Sequence, residues 1–192
     1  WVDRTDIGYS EERRVVEILT PIKNKIIGLM YGNHEIAIRK HSHQNVHQHI
    51  CDALGVKNLG FSCFLHLHFE RENSNERHLI KGCFTHGSSN GTTEGWKLNC
   101  LMRWMKQNDA DVYGYAHVHD YIPKSFTRLG TGDKKITNKV AIGATTGAWF
   151  RTYTQGTEAS YGEQKCYPPN SLGCAMFIIN PNTGFLDVSF SQ

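Results

Sequence analysis

Histidine is the chemically useful residue that this chain has in excess, with eleven in 192 residues. Imidazole binds metals and moves protons near neutral pH, so the placement of these rings bears on any chemistry. Three histidine-bearing segments share one layout. Asn33 and His34 follow Ile26 to Tyr31, His86 follows Leu79 to Thr85, and His117 with His119 follows Asp111 to Tyr115. Short apolar runs of this kind read as buried strands. Ligands of α/β sheets gather where strands end on one edge, and a rigid strand fixes a ligand atom without rebuilding the core. In extended backbone, the two-residue step from His117 to His119 points both rings one way and Val118 the other. Each piece alone has a plainer reading. A His-x-His on a strand is often a satisfied structural pair, and Gly32-Asn33-His34-Glu35 is a turn-prone tetrapeptide. Their order and shared context carry the information.

The scaffold that must place these residues is legible as alternating elements. Ser10 is a candidate cap for a helix carrying Val15, Val16, Ile18 and Leu19, which stops before Pro21. Lys25 to Tyr31 reads as a strand. Val46, Ile50, Cys51 and Leu54 fall at helical spacing, and Gly55 can end that helix. Phe61 to Glu70 alternates apolar with polar and reads as a strand, with Leu79 to Thr85 as its neighbour. Trp96 to Gln107 forms an amphipathic helix with Leu98, Leu101, Met102 and Met105 on or near one face. Asp111 to Tyr115 is a short strand, and the rest favours strands, including Val140 to Ile142 and Ala175 to Ile179. This order predicts a layered α/β domain, and the length suits one domain over residues 1–192.

Composition narrows the class of function. Hydrophobic residues make up 39% and charged residues 20%, the profile of an ordered chain with a core. No apolar run is long enough to cross a bilayer, so no membrane partner is expected. The formal charge of +3 is small, and basic residues cluster only in pairs such as Arg13-Arg14 and Lys134-Lys135. Nucleic acid as a partner is therefore possible but not indicated by charge. Six cysteines without a CxxC pair read as reduced, buried thiols of a cytoplasmic protein.

Tyr31-Gly32-Asn33-His34-Glu35, Thr85-His86-Gly87 and Tyr115-Ala116-His117-Val118-His119, taken together, resemble the calcineurin-like metallophosphoesterases. That superfamily orders its motifs as Asp-x-His, Gly-Asp-x-x-Asp, Gly-Asn-His-Glu or -Asp, a later His, and Gly-His-x-His. The last three are present here between Lys25 and Asp120, with Ala116 where Gly is usual. The resemblance implies an α/β/β/α sandwich flanked by helices, two divalent ions (Mn, Fe, Zn or Ni) and a phosphoester substrate. It implies that Asn33, His86 and His117 bind one metal, that His119 binds the second, and that His34 is the catalytic residue beside the phosphate. Glu35 would support the loop. Two such ions clamp phosphate oxygens and lower the pKa of a water between them.

The first two family motifs are not found, and the expectation is that a segment upstream of Trp1 completes the site. Asp3-Arg4-Thr5-Asp6 imitates the Asp-x-x-Asp spacing, but Val2 replaces the glycine and no apolar strand precedes it. Gly132-Asp133-Lys134-Lys135 reads as a hairpin turn. Without upstream aspartates, residues 1–192 alone are expected to hold metal incompletely and turn over poorly, because adjacent cations need anionic ligands.

Among the other histidines, His41, His43, His47 and His49 read as a solvated segment, since His47 and His49 point to different helix faces. His66 and His68 read as interior polar or surface residues of a strand, and His78 as exposed. Arg151 with Tyr153, Tyr161 and Tyr167 reads equally as a substrate loop or as ordinary surface aromatics. The leading function is metal-dependent hydrolysis of a phosphate ester by a phosphodiesterase or nuclease-like enzyme. The alternative is a non-catalytic metal-binding or scaffold module that retains the fold.

Overall fold

A computed structural model describes residues 7–131 and 135–192; Asp3, Asp6 and, of the expected hairpin turn, Gly132 to Lys134 lie outside the described residues. The chain divides into two compact units, the first ending at Cys63 and the second starting at Phe64.

In the first unit, helix α1 (Ile7–Leu19) runs into a 3-10 segment, Thr20–Lys25. Pro21 tolerates the tighter turn because its missing N–H is not needed at a helix start. Ser10 lies inside α1 and not at its cap, since the helix includes Ile7, Gly8 and Tyr9 before it. The expected strand over Lys25 to Tyr31 shrinks to β1 (Gly28–Leu29), since the 3-10 segment claims residues up to Lys25. A second unexpected element follows at once: α2 (Asn33–Ser42), then α3 (Val46–Leu54) and β2 (Lys57–Asn58). β1 and β2 pair in parallel, Gly28 with Lys57 and Leu29 with Asn58. A Cβ at Gly28 would stand 2.6 Å from Leu59 Cγ, so only glycine allows this approach. The Asn45 side chain accepts from the Gln48 N–H, and left-handed Gly55 (φ 69°) ends α3 as expected.

The second unit is built on a five-stranded sheet in the order β3-β4-β5-β7-β6. Its strands are β3 (Ser62–Glu70), β4 (Arg77–Thr85), β5 (Val112–Tyr115), β6 (Pro123–Thr131) and β7 (Ile136–Thr145). β4, β5 and β7 run parallel, in the register Thr85–Tyr115–Thr145, and β6 returns antiparallel to β7. A second sheet joins β8 (Gly147–Ala148), β9 (Gly173–Asn180) and β10 (Phe185–Ser191) in the order β10-β9-β8.

Successive strand residues face opposite sides of a sheet, and β4 shows what each side meets. Cys83 joins a core with Leu101 and Met105 of α4 (Glu94–Gln107), together with Tyr113 and Ala141. Phe84 points the other way, its ring meeting that of Phe177 at 6.0 Å in an edge-on contact. Gly82 and Gly114 leave room for that ring, since a Cβ on either would approach it to 2.6 or 2.5 Å. The protein is a mixed α/β molecule of helices and several sheets. None of its described helices is long and apolar enough to cross a membrane, and all six cysteines are thiols.

Candidate functional site

The parallel register explains how His86 and His117 meet. Thr85 and Tyr115 are partners at the ends of adjacent parallel strands, and the Ala116 N–H extends the ladder to Thr85 O at 3.1 Å. His86, one residue past its strand end, and His117, two past its own, therefore leave the sheet at neighbouring points. His117 Nδ1 lies 3.2 Å from His86 Nε2, with ring centres 5.2 Å apart and planes at 76°. Gly87 (φ 73°) turns the chain away from His86 while packing on Tyr115, whose ring a Cβ would approach to 2.5 Å. The Tyr115 hydroxyl closes this turn, donating to Ser88 O at 2.6 Å and accepting from Ser88 N–H at 2.9 Å. Burial pushes the Tyr115 phenol up from its usual pKa, so it remains a donor.

The backbone around His117 and His119 departs from the extended form read from sequence. Both residues are left-handed, at φ 71° and 53°. Such a conformation costs a non-glycine residue about 1–2 kcal/mol and needs tertiary support. Val118 supplies part of it: it is buried in the core between the two histidines. Thr145, fully buried, supplies more. Its hydroxyl donates to Asp120 O at 2.7 Å and accepts from Ile122 N–H at 2.7 Å, and the Gly147 N–H also reaches Asp120 O. The Asp120 carboxylate accepts from the Tyr121 N–H and pairs with Lys97 Nζ at 3.2 Å. Lys97 is only 7% exposed, although it lies on the stripe of α4 that also carries Leu101 and Met105. His119 itself is exposed, and its ring centre lies 6.3 Å from that of Phe150.

Asn33 and His34 belong to the first unit and form the exposed first turn of α2. Glu35 holds that turn, its Oε2 accepting from the Gly32 N–H at 2.7 Å. The structure thus brings His86 and His117 together, carries His119 on the same loop as His117, and sets Asn33 and His34 on a helix start. Sequence reasoning missed Lys97, Asp120 and Thr145. A lysine within an apolar helix stripe was the available signal for the first; Thr145 has none, because its role is entirely tertiary.

The remaining histidines are divided by burial. His47 is buried, contrary to the solvated reading: Tyr31 meets it edge-on at 5.5 Å and Cys51 Sγ lies 3.5 Å from its Nε2. His43 ends α2 in a left-handed cap, and His49 is exposed with Glu12 Oε2 at 3.4 Å. His66 and His68 are exposed on β3, while His78 is half-buried at the start of β4, because β4 turns Leu79 outward instead. Arg151 and Tyr153 are exposed in a loop closed on itself, with Tyr153 OH donating to Tyr167 O and Ser160 Oγ to Thr152 O.

Two imidazole nitrogens bound to one ion at about 2.0–2.1 Å, at angles of 90–109°, stand about 2.9–3.4 Å apart. The observed 3.2 Å between His86 and His117 fits such a pair and equally fits a direct N–H···N hydrogen bond between neutral rings. Among the described residues no group of three or more His, Cys, Asp or Glu side chains is assembled as a metal site. No family model, curated protein or solved structure matches the chain.

Proposed function

We propose that this chain takes part in metal-dependent hydrolysis of a phosphate ester, as a phosphodiesterase or nuclease-like enzyme. The observation that carries the reading is the 3.2 Å approach of His117 Nδ1 to His86 Nε2 across adjacent parallel strand ends. His86 and His117 would hold one divalent ion, for which Mn, Fe, Zn or Ni suits imidazole nitrogen. The motif order adds Asn33 to that ion, His119 to a second, and His34 as the group that protonates the leaving oxygen. Bound ions of this kind supply Lewis acidity and an activated water. The chain's own contribution is to hold its donors still: Val118 anchors the loop from below, while Thr145 and Lys97 fix Asp120 beside His119.

The reading also takes the fold as the layered α/β/β/α sandwich of that superfamily. Support comes from α4 and the β8-β9-β10 sheet lying against opposite faces of the central sheet.

The test is elemental analysis of the chain after loading with excess Mn or Zn, run beside hydrolysis of bis-p-nitrophenyl phosphate. Bound metal, even below two ions per chain, with turnover, even slow, that EDTA abolishes supports the proposal. Bound metal with no turnover on any phosphoester points to a metal-binding scaffold. A chain that takes up no metal contradicts both.

A further inference from the structure

A cavity of about 300 Å³ opens beside the turn that follows His86. Helix α4 gives it one wall: Trp96, Arg103, Trp104 and Gln107 fall at i, i+7, i+8 and i+11, a stripe separate from Lys97, Leu101 and Met105. Ser88 and Tyr115 contribute the other wall. Ser88 is two residues past His86 and Tyr115 two residues before His117, so cavity and histidine pair are built on the same two strand ends.

The chemistry of this lining is specific. Tyr115 is locked to Ser88 by the two hydrogen bonds described above, and Trp104 Nε1 donates to Cys83 O at 3.4 Å. Trp96 is different: it packs against the Cα of Gly91, where any Cβ would overlap the indole, yet remains 49% exposed. It is a fixed aromatic platform at the cavity. Arg103 is the one charged residue among the described lining residues, which include no Asp or Glu. It also forms no ion pair among the described residues. A bare phosphate would leave the indoles unused, and a hydrocarbon ring would desolvate Arg103 without a partner. A planar ring with polar edges and a negative charge uses both. The volume sits at the small end for ligand pockets, enough for one base and its sugar but not for an oligonucleotide.

We propose that this cavity binds the base of a nucleotide-type phosphoester, with Trp96 as the stacking surface and Arg103 meeting its negative charge. The inference deepens the phosphoesterase reading and rests on it for the identity of the reaction, but its binding step is separable. Calorimetric titration of the full chain in EDTA, where no hydrolysis occurs, uses AMP and UMP as probes and ribose 5-phosphate and inorganic phosphate as controls. At least one nucleotide should bind saturably and both controls at least tenfold more weakly. Trp96→Ala should weaken nucleotide binding by at least about fivefold, in the range seen for single stacking residues. Trp96→Phe should retain most of the affinity, and Arg103→Gln should weaken AMP while leaving adenosine unchanged. Circular dichroism checks that each variant is folded; should Trp96→Ala unfold, Trp96→Leu, which keeps apolar bulk without an aromatic face, and Arg103→Gln carry the test. Equal binding of AMP and ribose 5-phosphate, no binding of either nucleotide, or wild-type nucleotide affinity in folded Trp96→Ala, Trp96→Leu or Arg103→Gln would overturn the proposal. Because metal is absent throughout, that failure leaves the phosphoesterase reading standing, and failed metal uptake leaves this one standing.

Discussion

Two histidine segments with the same layout in sequence, an apolar run and then the motif, are held by different physics. Gly32-Asn33-His34-Glu35 becomes a helix start, held locally by hydrogen bonds from Gly32 N–H to Glu35 and from Ile36 N–H to Gly32 O. Ala116-His117-Val118-His119 becomes a left-handed loop, fixed by a buried valine, a buried threonine from β7 and a buried lysine from α4. The first is encoded locally. The second exists only when residues some 20 to 30 positions away are already in place. Strain of about 1–2 kcal/mol per left-handed residue is therefore tolerated in the second region and absent from the first.

The contrast can be broken or sharpened by substitution. The largest effect is expected at His34, where in the complete enzyme His34→Ala should lower phosphodiester turnover about 10²–10⁴-fold with metal content nearly unchanged. Parallel turnover and elemental analysis decide it, and metal loss equal to activity loss would make His34 a ligand. Gly87→Ala should cost about 2 kcal/mol in urea unfolding, because its φ of 73° and the 2.5 Å approach to Tyr115 both oppose a side chain. A change below about 0.5 kcal/mol would show that this turn yields easily. Lys97→Met should lower metal affinity about tenfold, as loss of a supporting partner does. Its stability should shift by no more than about 1 kcal/mol, since the desolvation cost of Lys97 disappears with the pair. Glu35→Ala should be mildest, about 0.5–1 kcal/mol, the worth of one capping bond. If Glu35→Ala outweighs Gly87→Ala, the division into local and long-range encoding is wrong.

This division also explains what was legible in the sequence. β3, β4, β5, α3 and α4 follow from alternation, helical spacing and caps, all local signals. The meeting of His86 and His117 follows once their strands are neighbours and parallel. The left-handed loop was not legible, because an extended His-x-His is the local preference and burial of Val118 overrides it. α2 was hidden for a different reason: Asn33-His34 resembles a turn, although Glu35 three residues beyond Gly32 is a helix-start signal. His47 looked solvated within a histidine-rich run, and only its neighbours Tyr31 and Cys51 show it to be core.

The most direct measurement concerns the histidine pair itself. Titrating Co²⁺ into the chain and into His86→Ala and His117→Ala, followed by visible absorption, separates a metal-binding pair from a simple hydrogen bond. The account predicts a ligand-field spectrum with bound Co²⁺ in the wild type and affinity reduced at least tenfold in each variant, with folding retained by circular dichroism. Absence of Co²⁺ uptake by the wild type, or unchanged affinity in both variants, would contradict it and leave the 3.2 Å contact as a hydrogen bond between two neutral rings.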